Sequence, residues 1–141
     1  MEPLDLSGLA DGALLLIDSP PIICFLEEHP QLGARFQPLF EAHRTGALRF
    51  AVRTVAMAEV LTGPLHAGDE VLSRRYRSIL ESWQLLDLTA DIAESAARLR
   101  ASLRVKLADA VQAASALTIN ADALVTHDRD FSRVRSLRVI S

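Results

Sequence analysis

Leu14-Leu15-Leu16-Ile17-Asp18 is the stretch on which the reading of the fold turns. Four large apolar residues run without interruption into a carboxylate, with Gly12-Ala13 before them and Ser19-Pro20-Pro21 after. A continuous run of this length, bounded by turn formers, predicts a strand at about 13–18 buried on both faces, as in the middle of a parallel sheet. Asp18 then stands at the carboxyl end of the strand, the edge where open α/β sheets place their ligand sites.

Working outward, residues 1–12 form a polar lead-in, expected to be loosely held. After the strand, Ser19 is placed to cap a short helix whose first turn tolerates Pro20 and Pro21. Leu32, Phe36, Leu39, Phe40 and His43 recur at spacings of three and four, which predicts a helix over 31–45, with Pro38 inside it and Thr45-Gly46 at its end. Leu48, Phe50 and Val52 alternate with Arg49, Ala51 and Arg53, a strand pattern over 47–53. Thr54 is placed to cap a helix that carries Glu59 and is expected to stop at Gly63-Pro64. Val71, Leu72, Tyr76, Ile79, Leu80 and Trp83 mark a helix at about 67–82, with Arg74, Arg75 and Arg77 on a solvated face.

Leu85, Leu86 and Leu88 suggest a third strand, and Thr89 caps the next helix, with Asp91 in its first turn. An Ala-rich helix at about 108–119 starts close to Asp109. Ala123–Thr126 reads as a fourth strand ending at His127-Asp128-Arg129-Asp130, and 137–140 as a fifth. Strands alternate with helices throughout, so the class is α/β, a three-layer sandwich around a parallel sheet of four to five strands.

The 141 residues suit one domain, with half of them apolar and about a quarter charged. The single cysteine, Cys24, excludes an intramolecular disulfide, which suits a reducing cytoplasm, and its apolar helix face suggests a core position. No apolar run approaches the ~18 residues of a membrane span, and the first residues carry acids rather than a basic leader. A net charge of −3 argues against an extensive nucleic-acid surface, although the second half holds most of the Arg and the only Lys, Lys106, so a local basic patch remains open.

Four acids carry the chemistry. Asp18 and Asp128 each follow a parallel strand and so share one edge of the sheet. Glu59 lies about one and a half turns into a helix that begins at a strand's carboxyl end, over the same rim. Asp109 opens the helix just before the Asp128 strand; its start is expected near the opposite edge unless the preceding loop wraps back, and periodicity does not decide the point. Clustered carboxylates repel unless a cation compensates them, and an all-oxygen set with no Cys/His zinc spacing suits Mg²⁺ or Mn²⁺. Such an ion lowers the pKa of bound water for in-line attack on a phosphodiester.

Each acid has a plainer reading: Asp18 as the cap of the next helix, Glu59 as a solvated residue, Asp109 as a helix-dipole partner, and Asp128 as turn chemistry. Ser19, Thr126 and Asp130 stand as residues supporting the acids, Arg129 and Arg133 as phosphate contacts, and His127 as a loop residue.

Four segments in order resemble the PIN-domain ribonucleases, and among them the VapC-type toxins of bacterial toxin–antitoxin pairs. They are Leu15–Ser19 with Ile22–Pro30, Ala58-Glu59-Val60-Leu61 with Gly63-Pro64-Leu65, Leu107-Ala108-Asp109-Ala110 with Ala113-Ala114, and Thr126–Phe131. The resemblance runs from about residue 13 to the end. It implies a PIN-like fold and an Mg²⁺- or Mn²⁺-dependent endoribonuclease with Asp18, Glu59, Asp109 and Asp128 as metal ligands. It brings the Asp109 helix start into the acidic pocket, and implies a homodimer and a small antitoxin whose C-terminal segment blocks the site. Many relatives carry a small polar residue at the place of His127 and Ser or Thr at the place of Arg53. A haloacid-dehalogenase-like phosphatase is the enzyme runner-up, but its second acid would fall at Pro20. A catalytically silent domain binding RNA or protein is the alternative outside the enzyme class.

Overall fold

A computed structural model describes residues 4–127, 131 and 134–141. Five parallel strands, β1 (Ala13–Ile17), β2 (Leu48–Arg53), β3 (Gln84–Leu86), β4 (Ala123–Val125) and β5 (Val139–Ile140), form one sheet in the order β3-β2-β1-β4-β5. The opening stretch is the central strand, and every residue of β1 is buried, as its unbroken apolar run requires.

Alternation sorts the strand side chains onto two faces. Leu15, Ile17, Phe50, Val52, Ala123 and Val125 point to one, where α1 (Ser19–Leu26), α2 (Leu32–Arg44), α3 (Thr54–His66) and α4 (Glu70–Glu81) cover them. Ile22, Phe36, Phe40, Ala56, Val60, Tyr76 and Leu80 belong to this cluster, and Leu4, Leu6 and Leu9 of the lead-in pack against it. Leu14, Leu16, Ala51 and Leu124 point the other way, toward Ala113 and Ala116 of α6 (Leu107–Thr118). Ile92 and Ala96 of α5 (Ala90–Leu103) pack against Ala110 and Ala114 of α6. The result is the expected three-layer α/β/α sandwich.

Some local expectations change. The cap of α1 is Asp18, whose side chain accepts from the Ser19 amide, and Ser19 is the first helical residue. The residue before α3 is likewise Arg53, and Thr54 opens the helix without capping it. In both places a strand runs directly into a helix, so the residue before the hydroxyl takes the extended cap conformation. Thr89 does cap α5, accepting from the Ile92 amide at 3.2 Å.

Gly63-Pro64 does not end α3, which continues to His66. Pro64 lies near the carboxyl end, so its missing N–H costs one hydrogen bond, and its ring is buried. Gly33 is required where α1 and α2 meet, because a Cβ there would lie 2.9 Å from the Cys24 carbonyl oxygen.

Candidate active site at the carboxyl edge of the sheet

The register of the three central strands determines which side chains meet at this edge. Leu16 pairs with Ala51 on one side and Leu124 on the other, and Ile17 pairs with Val125. Two residues beyond Leu16, Ala51 and Leu124 on the same face come Asp18, Arg53 and Thr126. These three are in contact. Thr126 Oγ1 donates to Asp18 Oδ2 at 3.0 Å, and an Arg53 terminal nitrogen lies 3.6 Å from Asp18 Oδ1. The Ser19 amide donates to Asp18 Oδ1 at 2.8 Å, and the Asp18 amide donates to the Val125 carbonyl at 2.9 Å. Thr126 and the Ser19 residue are almost fully buried, so the carboxylate is held from the inside.

Asp109 lies in the first turn of α6 and is half-buried. The carboxyl end of α6 leads through Ala121 to Asp122, whose amide donates to the Leu14 carbonyl at the amino edge of the sheet. The Asp122 Oδ2 accepts from the Leu14 amide at 2.8 Å, closing that end. The helix therefore descends antiparallel to the strands, and its first turn stands at the carboxyl edge. Periodicity left the edge at which the Asp109 helix starts open, and the fold places it at the carboxyl edge, as the resemblance implies. A helix that returns the chain from one strand to the next begins where the previous connection reached the top of the sheet.

Glu59 comes from the other layer. Its neighbours Ala56 and Val60 face the large-residue cluster, and Glu59 itself is exposed. Among the described residues, no three His, Cys, Asp or Glu side chains lie close enough together to share a metal ion. Asp18, Glu59 and Asp109 do not form such a group by themselves. Asp128, Arg129, Asp130 and Arg133 lie outside the described residues.

The donor chemistry at Asp18 nevertheless fits a hard divalent cation. Each of its oxygens accepts one of the hydrogen bonds above, which leaves lone-pair capacity on both, and a hydrogen-bonded carboxylate is an oriented ligand. Asp18 thus also fills the plainer role of helix cap, and the two roles are compatible.

Sequence reasoning gave too little weight to three polar groups. Arg53 was visible as a departure from the resembling family, but its contact with Asp18 follows only once the register is known. Gln112, three residues after Asp109, is buried with an Nε2 that lacks a hydrogen-bond partner among the described residues. His127 is half-buried against the Phe36 ring at 5.1 Å, and its Nε2 likewise has no partner there. Burial pushes the His127 imidazole below its ordinary pKa; the Asp18 charge opposes this, while Arg35 and His29 reinforce it.

The PIN domain family model matches residues 15–137. No curated protein matches the chain. Solved structures match it in fold. A toxin–antitoxin complex from Klebsiella pneumoniae is similar with a TM-score of 0.70 and 22% identity, over 90% of this chain and 96% of that one. VapBC2 from Rickettsia felis, bound to a DNA fragment from its promoter, gives 0.68 and 19%, over 89% and 96%. VapBC-1 from nontypeable Haemophilus influenzae gives 0.66 and 21%, over 89% and 96%.

Proposed function

The chain belongs to the PIN-domain family, and from that premise we propose that it is a metal-dependent endoribonuclease and the toxin of a toxin–antitoxin pair. The observation that carries this reading is the Asp18 carboxylate, held by the Ser19 amide and Thr126 hydroxyl at the carboxyl end of the central strand.

Asp18, Glu59, Asp109 and Asp128 are the proposed ligands of Mg²⁺ or Mn²⁺. When bound, the ion supplies Lewis acidity toward a phosphodiester oxygen and toward water. The chain's own part is positional. Ser19 and Thr126 fix the rotamer of Asp18, so its oxygens meet the ion without reorganisation. The α6 amino terminus adds the positive end of a helix dipole near Asp109, which favours an anionic substrate at this rim. Asp130 is proposed to support the acids, and Arg129 and Arg133 to take RNA phosphates. Since carboxylates must be ionised to hold the ion, cleavage rises with pH from the acid side.

The partners proposed are an RNA substrate, a small antitoxin that blocks the acidic rim, and a second copy of the chain. Solved relatives named as VapBC and toxin–antitoxin complexes support the antitoxin. Val55, Leu65 and Val71 on α3 and α4 are exposed and offer apolar surface for association. No helix among the described residues is long and apolar enough to cross a membrane, and a cytoplasmic site of action is part of the proposal.

The test is cleavage of a labelled RNA with Mg²⁺, Mn²⁺ or EDTA. Asp18→Asn is expected to lower the rate by at least about a hundredfold, since a lost metal ligand removes several kcal/mol of transition-state stabilisation. Metal-independent cleavage, or full activity in Asp18→Asn, overturns the nuclease reading. A silent RNA- or protein-binding domain is the second reading. RNA binding without cleavage would establish it. Growth arrest on expression, relieved by a neighbouring short reading frame, tests the toxin assignment.

A further inference from the structure

Arg53 places a permanent cation at the Asp18 carboxylate. Its side chain is 10% exposed and that of Asp18 13%, so the pair lies largely out of water with 3.6 Å between nitrogen and oxygen. The Arg53 Nε is buried and has no hydrogen-bond partner among the described residues. A guanidinium so placed depends on a nearby negative charge, because an uncompensated buried charge is strongly destabilising. Asp18 is its ion-pair partner among the described residues.

We infer that Arg53 is the resident counter-ion of Asp18 and sets how weakly the site holds its divalent cation, an inference that rests on the metal-site reading above. Without metal, Arg53 neutralises Asp18, and the folded protein tolerates the buried carboxylate with no ion bound. A divalent cation held at Asp18 would share that carboxylate with the like charge of Arg53 in a partly desolvated setting. The repulsion would lower affinity, because the cation and Arg53 would compete for the charge of one carboxylate. The site is thereby tuned toward release, and its occupancy follows the free metal concentration.

Two measurements test this. The first is made in EDTA, with thermal melts of the wild type, Asp18→Asn, Arg53→Met and the double variant. Asp18→Asn is expected to destabilise the wild type more than it destabilises the Arg53→Met background, because only the wild type retains a buried cation to strand. Additive losses overturn the ion-pair role. The second is Mn²⁺ binding, followed by the electron-spin-resonance signal of the free ion. Arg53→Met and Arg53→Ser are expected to bind Mn²⁺ at least about tenfold more tightly than the wild type, given like charges at this separation in a medium of intermediate dielectric. Arg53→Lys keeps the charge and is expected to stay within about threefold of the wild type, on the same Coulomb argument.

Unchanged affinity in both neutral variants, or equal tightening in Arg53→Lys, overturns the inference. The metal-site reading fails separately. If Asp18→Asn leaves Mn²⁺ binding intact in the Arg53→Met background, or if no variant binds Mn²⁺, the metal is not held at Asp18 and both readings fall. If Asp18→Asn abolishes binding while Arg53→Met matches the wild type, only the role of Arg53 falls.

Discussion

The two faces of the sheet are built from different materials. On one, Phe36, Phe40, Phe50, Trp83 and Tyr76 fill the space between the strands and α1–α4. Phe40 alone stacks on Phe25 at 3.9 Å and meets Phe50 and Trp83 edge-on or tilted at 5.3 and 6.2 Å. On the other, Leu14, Leu16 and Leu124 meet the alanines of α6. Large rings supply most of the buried apolar area, whereas alanines let a helix approach closely. Asp18, Arg53 and Thr126 all continue the strand positions of the alanine face. The thin-walled face thus carries Asp18, its partners and Asp109, with Glu59 coming from the thick-walled layer, which carries the greater share of buried apolar area.

That division makes unequal demands on the two faces, and substitutions can break it. Phe40→Ala is expected to cost ~3–5 kcal/mol in denaturant unfolding, because it opens a ring-sized cavity. Its effect on Mn²⁺ binding by the folded protein is expected to be slight. Ala113→Leu is expected to cost less, ~1–3 kcal/mol, by overpacking the contact of α6 with the sheet. It lifts the helix that carries Asp109, so its loss of Mn²⁺ affinity is expected to exceed that of Phe40→Ala. The reverse ranking of the two affinity losses would dissolve the contrast between the faces.

The smallest effect concerns the polar ring on the thick face. His43 stacks on Phe50 at 4.2 Å, and burial lowers its pKa from the ordinary 6.5. The folded form therefore binds a proton less readily than the unfolded chain, so stability is steady above about 6.5 and falls as pH drops through and below that value. His43→Gln is expected to flatten the decline in melting temperature between about pH 8 and about pH 5.5, the range in which imidazoles titrate. His127 is shifted the same way, so some decline remains. An identical acid slope in His43→Gln would remove His43 from the account.

Much of this architecture is legible in the chain. The unbroken run of β1 and the alternation of β2 identify the central strands, and Asp18 follows from the first of them. Caps are harder to read. Ser19 and Thr54 have the right chemistry, yet the chain enters each helix straight from a strand and shifts the cap back by one residue. Asp109 shows another limit, since periodicity reports which face of a helix is buried but not which end is up. The contact of Arg53 with Asp18 was hidden for a third reason: it depends on register between strands 35 residues apart, as in the pairing of Leu15 with Phe50.

The hydrogen bond from Thr126 to Asp18 spans 108 positions of sequence. Pairing of β1 with β2 and collapse of the aromatic cluster need only the first part of the chain, whereas β4 must find a strand made long before it and is flanked on its other side by β5. Contacts of such separation form slowly, because a long loop must close before they contribute. During synthesis the hydrophobic scaffold can therefore assemble well before Asp18 acquires its Thr126 partner. Refolding is expected to show the same order, with aromatic burial preceding Mn²⁺ capture.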